Sequence, residues 1–222
     1  DMALVDELAP APAHDGSDPS EVDALRNKLV AAAIFTSLGI PMIAEGQESG
    51  GHIGDVATLP LVPQVVDAVD VPVVAAGGIA DGRGLAAALA LGAVGIQMGT
   101  RFISTTECPA HDNYKARILR AHDRATMVTG ASFGHPVRSI RGPFIRRLEE
   151  VERQGISEEE FMAFGAGTLR AAIVEGDTDR GSVMAGQSAG LVHDVVPARV
   201  LVERVVAEAE EAIRRSVAFI TP

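Results

Sequence analysis

The stretch VPVVAAGGIADGRGLAAALALGAVGIQMGTRF limits the possible folds of this chain more than any other part of it. Its residue pattern predicts two apolar strands, Val71–Ala76 and Val94–Met98, joined by a helix over about Asp81–Leu91. Each strand ends at a turn of small residues, Gly77-Gly78 or Gly99-Thr100. The backbone N–H groups of such turns are free to bind a ligand.

This succession is how the last two βα units of a (β/α)₈ barrel hold a phosphate group. Glycines lie at the carboxyl ends of neighbouring strands, and a helix N-terminus points at the anion. A single glycine pair often only terminates a strand, but two pairs on consecutive units are more specific. The sequence therefore predicts a phosphate-bearing cofactor at these two turns.

Composition limits the class of protein. The chain has 222 residues, of which 47% are hydrophobic, which is enough for one sizeable core. The net charge is −11 and no basic stripe opposes the acidic surface, so a nucleic-acid partner is not expected. Lys28 and Lys115 are the only lysines, all other basic residues being arginines. A salt-loving cytosol and a GC-rich genome both account for that bias, and composition does not decide between them.

The single cysteine, Cys108, excludes an internal disulfide and favours a reducing, cytoplasmic location. No apolar run reaches membrane-spanning length and no signal peptide is recognised, so no membrane association is expected. The sequence predicts no metal site, because four of the histidines show no ligand spacing to one another. These are His111, His122, His135 and His193.

The remaining elements are predicted from periodicity and capping. A short buried strand is expected over Ile40–Ala44, and Thr58 is expected to cap a helix. Residues 129–156 are interpreted as irregular, whereas Ser157 opens a helix with a capping box. The C-terminal helix, Pro197–Ser216, is expected to bury one apolar face. That face comprises Val202, Val205, Val206, Ala209 and Ile213.

Gly50-Gly51-His52 follows the first predicted strand of the barrel region. Two glycines let the backbone pass close to a planar ligand, and histidine is the side chain best suited to moving a proton near neutral pH. A turn-capping histidine is the alternative. Met184 and Gln187 lie in a glycine-containing loop over Gly176–Gly190, which either lines a cofactor or is a plain surface loop.

Four blocks of residues 44–192 resemble one flavin-dependent family, the nitronate monooxygenases (formerly 2-nitropropane dioxygenases) together with the FabK-type enoyl-acyl-carrier-protein reductases. The blocks are AEGQESGGHIG (44–54), PVVAAGGIADGRG (72–84), GIQMGTRF (95–102) and GSVMAGQSAGLV (181–192). Taken together they are far more specific than one glycine pair.

The resemblance implies an α/β fold, the C-terminal part of an FMN-dependent TIM barrel with a small helical domain inserted. The N-terminal barrel strands are expected to be missing, since the early strands of the family have no counterpart here. We accordingly divide the chain into four parts. These are an unmatched leader and helix (1–39), a partial barrel (40–108), an inserted, mainly helical domain (109–180), and a returning flavin loop with the C-terminal helix (181–222).

The resemblance also assigns site residues by position. His52 matches the family's catalytic histidine. The FMN phosphate is implied to lie at Gly77, Gly78, Gly99 and Thr100. Glu45 stands where many members of the family carry glutamine. Other residues are implied to contact the flavin ring. They are Glu45, Gly50, Gly51, Gln97, Met98, Met184 and Gln187.

Three functions follow as hypotheses. The first is oxidation of alkyl nitronates with O₂. The second is reduction of an enoyl thioester by NAD(P)H through FMN. The third, from another class, is a non-catalytic remnant or a flavin-binding subunit, working as a homo-oligomer or with a complementing chain, since a partial barrel exposes a strand edge and half of a core.

Overall fold

A computed structural model describes residues 40–219, so the leader and helix expected over residues 1–39 lie outside the described residues. The elements are β1 (Met42–Glu45), β2 (Gly51–His52), α1 (Thr58–Ala68), β3 (Val73–Ala76), α2 (Gly82–Ala90), β4 (Gly95–Gln97), α3 (Thr100–Ile103), α4 (Asp112–Leu119), β5 (Thr126–Thr129), β6 (Val137–Ile140), α5 (Pro143–Arg153), α6 (Glu158–Gly165), α7 (Thr168–Ile173) and α8 (Ala198–Val217). Short 3₁₀ turns occupy Ala131–Phe133 and Gln187–Leu191.

Three strands form a parallel sheet in the order β1-β3-β4, with α1 and α2 in the crossovers. Alternate residues of β3 point to opposite faces, as the pleat requires. Val73 and Ala75 pack with α1 and α2, while Val74 and Ala76 join Ile43 in a small cluster on the other face. This confirms the predicted α/β class, with β-α-β-α-β succession as the scaffold.

A second sheet is antiparallel, in the order β2-β6-β5. Its shortest strand, β2, carries Gly51 and His52 and pairs with Arg138 and Val137 of β6. The sheet therefore joins the loop after β1 to the segment 126–140. A separate core of buried apolar side chains lies beside it, including Tyr114, Ile118, Ile140 and Val183.

Two of the three parallel strands, β1 and β3, begin two residues later than the sequence predicts. The strand expected at Ile40 begins at Met42, and the one expected at Val71 begins at Val73. In each case a proline, Pro41 or Pro72, comes directly before the strand. Proline has no N–H for the ladder, which explains the later start.

Two other predictions are wrong. Residues 129–156 are not irregular, because they contain β6 and α5, the latter burying Ile145 and Leu148. Thr58 is not an N-cap but the first residue of α1. The capping box of Ser157 with Glu160 is confirmed.

Helix α8 buries a narrower stripe than the sequence predicts. Leu201, Val205 and Ala209 are buried at an i, i+4 spacing. Val202, Val206 and Ile213, assigned to the same face, remain 49%, 47% and 43% exposed. The buried stripe is set by α2, because a Cβ at Gly82 would lie only 2.3 Å from the Ala209 nitrogen. The backbones of α2 and α8 therefore pack in direct contact at Gly82, which has no side chain.

Candidate functional site

The carboxyl ends of the three parallel strands lie side by side. The register pairs Glu45 with Ala76 and Ala76 with Gln97, so the residues that follow each strand emerge at one edge. Gly77-Gly78 and Gly99-Thr100 are therefore neighbours, as the sequence predicts. In open and barrel α/β sheets this edge is where ligands bind.

Gly77 and Gly78 both have the left-handed backbone conformation that favours glycine, with φ of +96° and +72°. A Cβ at Gly77 would lie 2.8 Å from Ser49 Oγ and 2.9 Å from the Gly46 carbonyl oxygen. Any larger residue would push the loop after β1 away from the end of β3. The glycine pair thus serves close approach as well as the turn.

Gly99 and Thr100 open the short helix α3 after β4. A Cβ at Gly99 would meet no atom within 4 Å, so open space lies in front of this turn. Thr100 is buried, and its Oγ1 accepts a 2.9 Å hydrogen bond from the Gly186 N–H. Within residues 40–219, the N–H groups of Gly78 and Gly99 donate to no protein acceptor.

The loop after β1 is held by Glu48, which the sequence analysis did not single out. Its carboxylate accepts hydrogen bonds from the Thr58 N–H at 2.9 Å and from Thr58 Oγ1 at 2.7 Å. Glu48 therefore caps α1 from a distance, which is why Thr58 itself does not. The Glu48 carbonyl oxygen also accepts from the Gln187 N–H at 2.8 Å.

The returning loop lies directly on the loop after β1. A Cβ at Gly50 would lie 2.6 Å from Ala185 Cα, and one at Gly51 would lie 3.7 Å from Met184 Sδ. The Met184 carbonyl accepts a 2.7 Å hydrogen bond from the buried Tyr114 hydroxyl. Burial, opposed by that hydrogen bond, raises the pKa of Tyr114.

His52 is exposed at the edge of the second sheet, with its backbone paired to Val137. Behind it, the buried guanidinium of Arg138 donates two hydrogen bonds to the Gln47 carbonyl oxygen, at 3.1 and 3.0 Å. Burial lowers the pKa of Arg138, while the nearby Glu48 carboxylate raises it. The histidine is thus an accessible side chain on a rigid backbone.

The remaining predicted residues lie at the strand ends. Glu45 is half-buried at the end of β1. Gln97, at the end of β4, has a buried Oε1 that finds no hydrogen-bond partner among the described residues. Met98 follows it and packs against the core of the parallel sheet. The Gln187 side chain is exposed, although its backbone holds the returning loop.

The four sequence blocks are thus in contact around one edge of the sheet. Gly77 touches the loop that carries Gly50–His52, that loop touches Met184–Gln187, and Thr100 bonds to the same returning loop. Sequence reasoning missed Glu48, Tyr114 and Arg138. Glu48 stood within a recognised block, whereas no local pattern marked the other two, which act through partners 70 and 91 positions away.

No helix of residues 40–219 combines the length and apolar character needed to cross a bilayer. In the same part of the chain, no three His, Cys, Asp or Glu side chains converge as metal ligands would.

A parallel βαβαβ sheet with two glycine turns at its carboxyl edge places this chain among the α/β proteins. The profile of the nitronate monooxygenase family matches residues 30–208, and the chain belongs to that family. Members of this family are in general flavin-dependent oxidoreductases.

Individual relatives support the assignment to this family. A protein named "Probable nitronate monooxygenase" from Staphylococcus saprophyticus is 38% identical over 81% of this chain and 54% of its own length. A (3aS,4S,5R,7aS)-5-hydroxy-7a-methyl-1-oxo-octahydro-1H-indene-4-carboxyl-CoA dehydrogenase from Mycobacterium tuberculosis is 36% identical, over 76% of this chain and 59% of that protein. The solved structure of FabK from Thermotoga maritima is 48% identical with a TM-score of 0.78, over 81% of this chain and 57% of FabK. The chain therefore spans little more than half the length of these relatives.

Proposed function

We propose that this chain carries the FMN-binding and proton-transfer part of an oxidoreductase that oxidises alkyl nitronates with O₂. One observation carries the proposal: the register that puts Gly77-Gly78 and Gly99-Thr100 side by side at the edge where the predicted histidine loop and the returning loop meet. The relative from Staphylococcus saprophyticus supports the nitronate as substrate class.

The residues present fit a phosphate-bearing flavin. The N–H groups of Gly78 and Gly99 donate to no protein acceptor of the described chain, and open space lies before Gly99. Such N–H groups in glycine turns at strand ends suit a phosphate. The buried Gln97 Oε1 without a partner suits a polar ring edge. FMN bound here supplies the electron transfer, which no side chain can provide.

The protein's own contribution is positioning and proton movement. Gly50 and Gly51 let the backbone run close beneath a planar ring, and Met184 and Gln187 lie on the returning loop that covers it. The exposed His52 removes the α-proton of a nitroalkane at an imidazole nitrogen or orients the nitronate. Arg138 holds the backbone beside His52 rigid through Gln47.

A second candidate is the reduction of an enoyl thioester by NAD(P)H. It is favoured by the 48% identity to FabK and by the CoA thioester named for the mycobacterial relative. In that reaction His52 binds the thioester carbonyl or delivers the proton that follows hydride transfer.

We further propose that the partial barrel (40–108) is completed by other strands. In the sheet as described, β1 and β4 each have one neighbouring strand and are its two edge strands. A second copy or a complementing chain fits these edges. If neither completes the site, the chain is a non-catalytic remnant or flavin-binding subunit.

The inserted part over 109–180 and the returning part over 181–222 are proposed as separate units of the same site.

The first test is the visible spectrum of the purified chain with and without FMN. Flavin bands that persist through gel filtration support the site, and a colourless protein contradicts it. Anaerobic reduction of the yellow protein then separates the two reactions. Bleaching by a nitronate but not by NADPH supports nitronate oxidation, and the reverse supports the reductase.

A further inference from the structure

The glycine turn that follows β3 packs against the side chain of Glu48. A Cβ at Gly78 would lie 3.3 Å from Glu48 Cβ, 3.5 Å from Cγ and 3.8 Å from Cδ. The Gly78 N–H itself donates to no protein acceptor within residues 40–219. The turn is thus supported by Glu48, while its own N–H group is available to a ligand.

The Glu48 carboxylate also reaches this turn through Thr58. It accepts hydrogen bonds from the Thr58 N–H at 2.9 Å and from Thr58 Oγ1 at 2.7 Å. The same hydroxyl oxygen lies 3.1 Å from the Gly77 carbonyl oxygen and 3.4 Å from that of Ala76. A Cβ at Gly46 would lie only 2.1 Å from this oxygen, so the hydroxyl fills the space between the ends of β1 and β3.

The contact between Thr58 and Gly77 orients a whole peptide group. The Gly77 carbonyl and the Gly78 N–H belong to one planar, trans peptide bond, so they point in opposite directions. Because the carbonyl faces the Thr58 hydroxyl, the N–H faces away from Thr58. Gly77 and Gly78 have φ of +96° and +72°, and glycine offers little resistance of its own to rotation of the backbone. The Thr58 hydroxyl, held by Glu48, therefore restrains a turn that glycine alone leaves mobile.

Glu48 also contacts the returning loop and has a cationic neighbour. Its carbonyl oxygen accepts a 2.8 Å hydrogen bond from the Gln187 N–H, and a Cβ at Gly186 would lie 2.6 Å from that oxygen. Burial lowers the pKa of Arg138, and the Glu48 charge opposes that shift, so the two charges interact. This cation limits the repulsion between Glu48 and an anion bound at the turn.

We propose that Glu48 is a positioning residue that orients the Gly77–Gly78 peptide, so that the Gly78 N–H points at the phosphate group of the flavin. The inference rests on the flavin site proposed above and adds the residue that sets its geometry. A carboxylate suits this role, because hydrogen bonds to an ionised acceptor are shorter and stronger than those to a neutral one.

The test compares the affinities of the purified chain for FMN and for riboflavin, measured by flavin fluorescence titration. Riboflavin lacks the phosphate, so the ratio of the two affinities isolates the phosphate contact from every other effect on the site. The variants are Glu48→Ala and Thr58→Val. Glu152→Ala is the matched control, because Glu152 holds a different loop in the same way, accepting from the Gly130 N–H at 2.9 Å and from Ser132 Oγ at 2.7 Å.

We expect Glu48→Ala to lower the ratio of FMN affinity to riboflavin affinity by about tenfold, as loss of a charge-assisted hydrogen bond does. Thr58→Val keeps the side-chain volume and is expected to lower the ratio several-fold, which decides the matter if Glu48→Ala does not fold. Glu152→Ala leaves the ratio at the wild-type value.

Equal losses of FMN and riboflavin affinity in the Glu48 and Thr58 variants overturn the inference and leave the flavin site intact, since they indicate a general structural role. A ratio that falls as far in Glu152→Ala also overturns it. A wild-type chain that binds neither flavin contradicts the proposed flavin site and this inference with it.

Discussion

The Gly186 N–H donates a 2.9 Å hydrogen bond to Thr100 Oγ1 across 86 positions of the chain. Both residues are buried. The bond joins the first turn of α3, where a phosphate is proposed, to the loop proposed to close over the flavin. The two halves of the candidate site are therefore mechanically coupled.

Thr100→Val removes the acceptor of this bond at nearly constant volume. The buried Gly186 N–H then lacks a partner, which costs about 1–3 kcal/mol of unfolding free energy. We expect a lower urea midpoint and weaker FMN binding, whereas Thr100→Ser keeps the oxygen and both properties. Equal FMN affinity in the valine and serine variants contradicts the coupling.

Gly78→Asp places a carboxylate at the proposed phosphate turn. The new Cβ lies 3.3 Å from Glu48 Cβ, so the added charge also faces an existing carboxylate. We expect the purified variant to lose FMN, measured by absorbance after gel filtration. Gly134→Asp is the control, because Gly134 has a similar φ of +77° with open space around it. A yellow Gly78→Asp protein rules out the phosphate site.

His52→Ala removes the proposed base without disturbing the backbone pairing of β2. We expect turnover to fall by about 10²–10⁴-fold, which is typical for loss of a general acid or base. FMN retention stays at the wild-type level, because the side chain is exposed. Steady-state kinetics in parallel with flavin absorbance tests this. Turnover near the wild-type rate would exclude His52 as the base.

Asp194 links α8 to α3. It pairs with the buried Arg101 and with Arg204, and the hydrogen bond from Arg204, followed by the charge of Arg101, holds its pKa below the usual range despite partial burial. The stabilisation is thus present above a pH of about 4 and is lost as the pH falls through the folded-state pKa.

Asp194→Asn should therefore destabilise the protein near neutral pH by about 1–2 kcal/mol, a figure reduced for the exposure of the carboxylate. The difference from wild type should shrink below pH 4, as followed by thermal unfolding from pH 7 to pH 2.5. Glu203→Gln, which removes an exposed i, i+4 pair with Arg199, should have little effect. A pH-independent difference contradicts the electrostatic origin.

Local residue patterns were enough to predict the parallel strands, α2 and the α6 capping box, since these depend on periodicity, glycine turns and residues within a few positions. The glycine turns of the four site blocks could be named for the same reason, whereas the other site residues were assigned from the family resemblance. That β1 and β3 begin directly after Pro41 and Pro72 is also a local effect, because proline has no N–H for the ladder.

Only the tertiary structure decided what holds the blocks together. Glu48 rather than Thr58 caps α1, Arg138 supports the loop of His52, and Tyr114 holds Met184. The buried stripe of α8 was set by the absent side chain of Gly82. These contacts join residues far apart in the chain, and a pattern within one segment contains no information on which distant backbone group its polar side chains will meet.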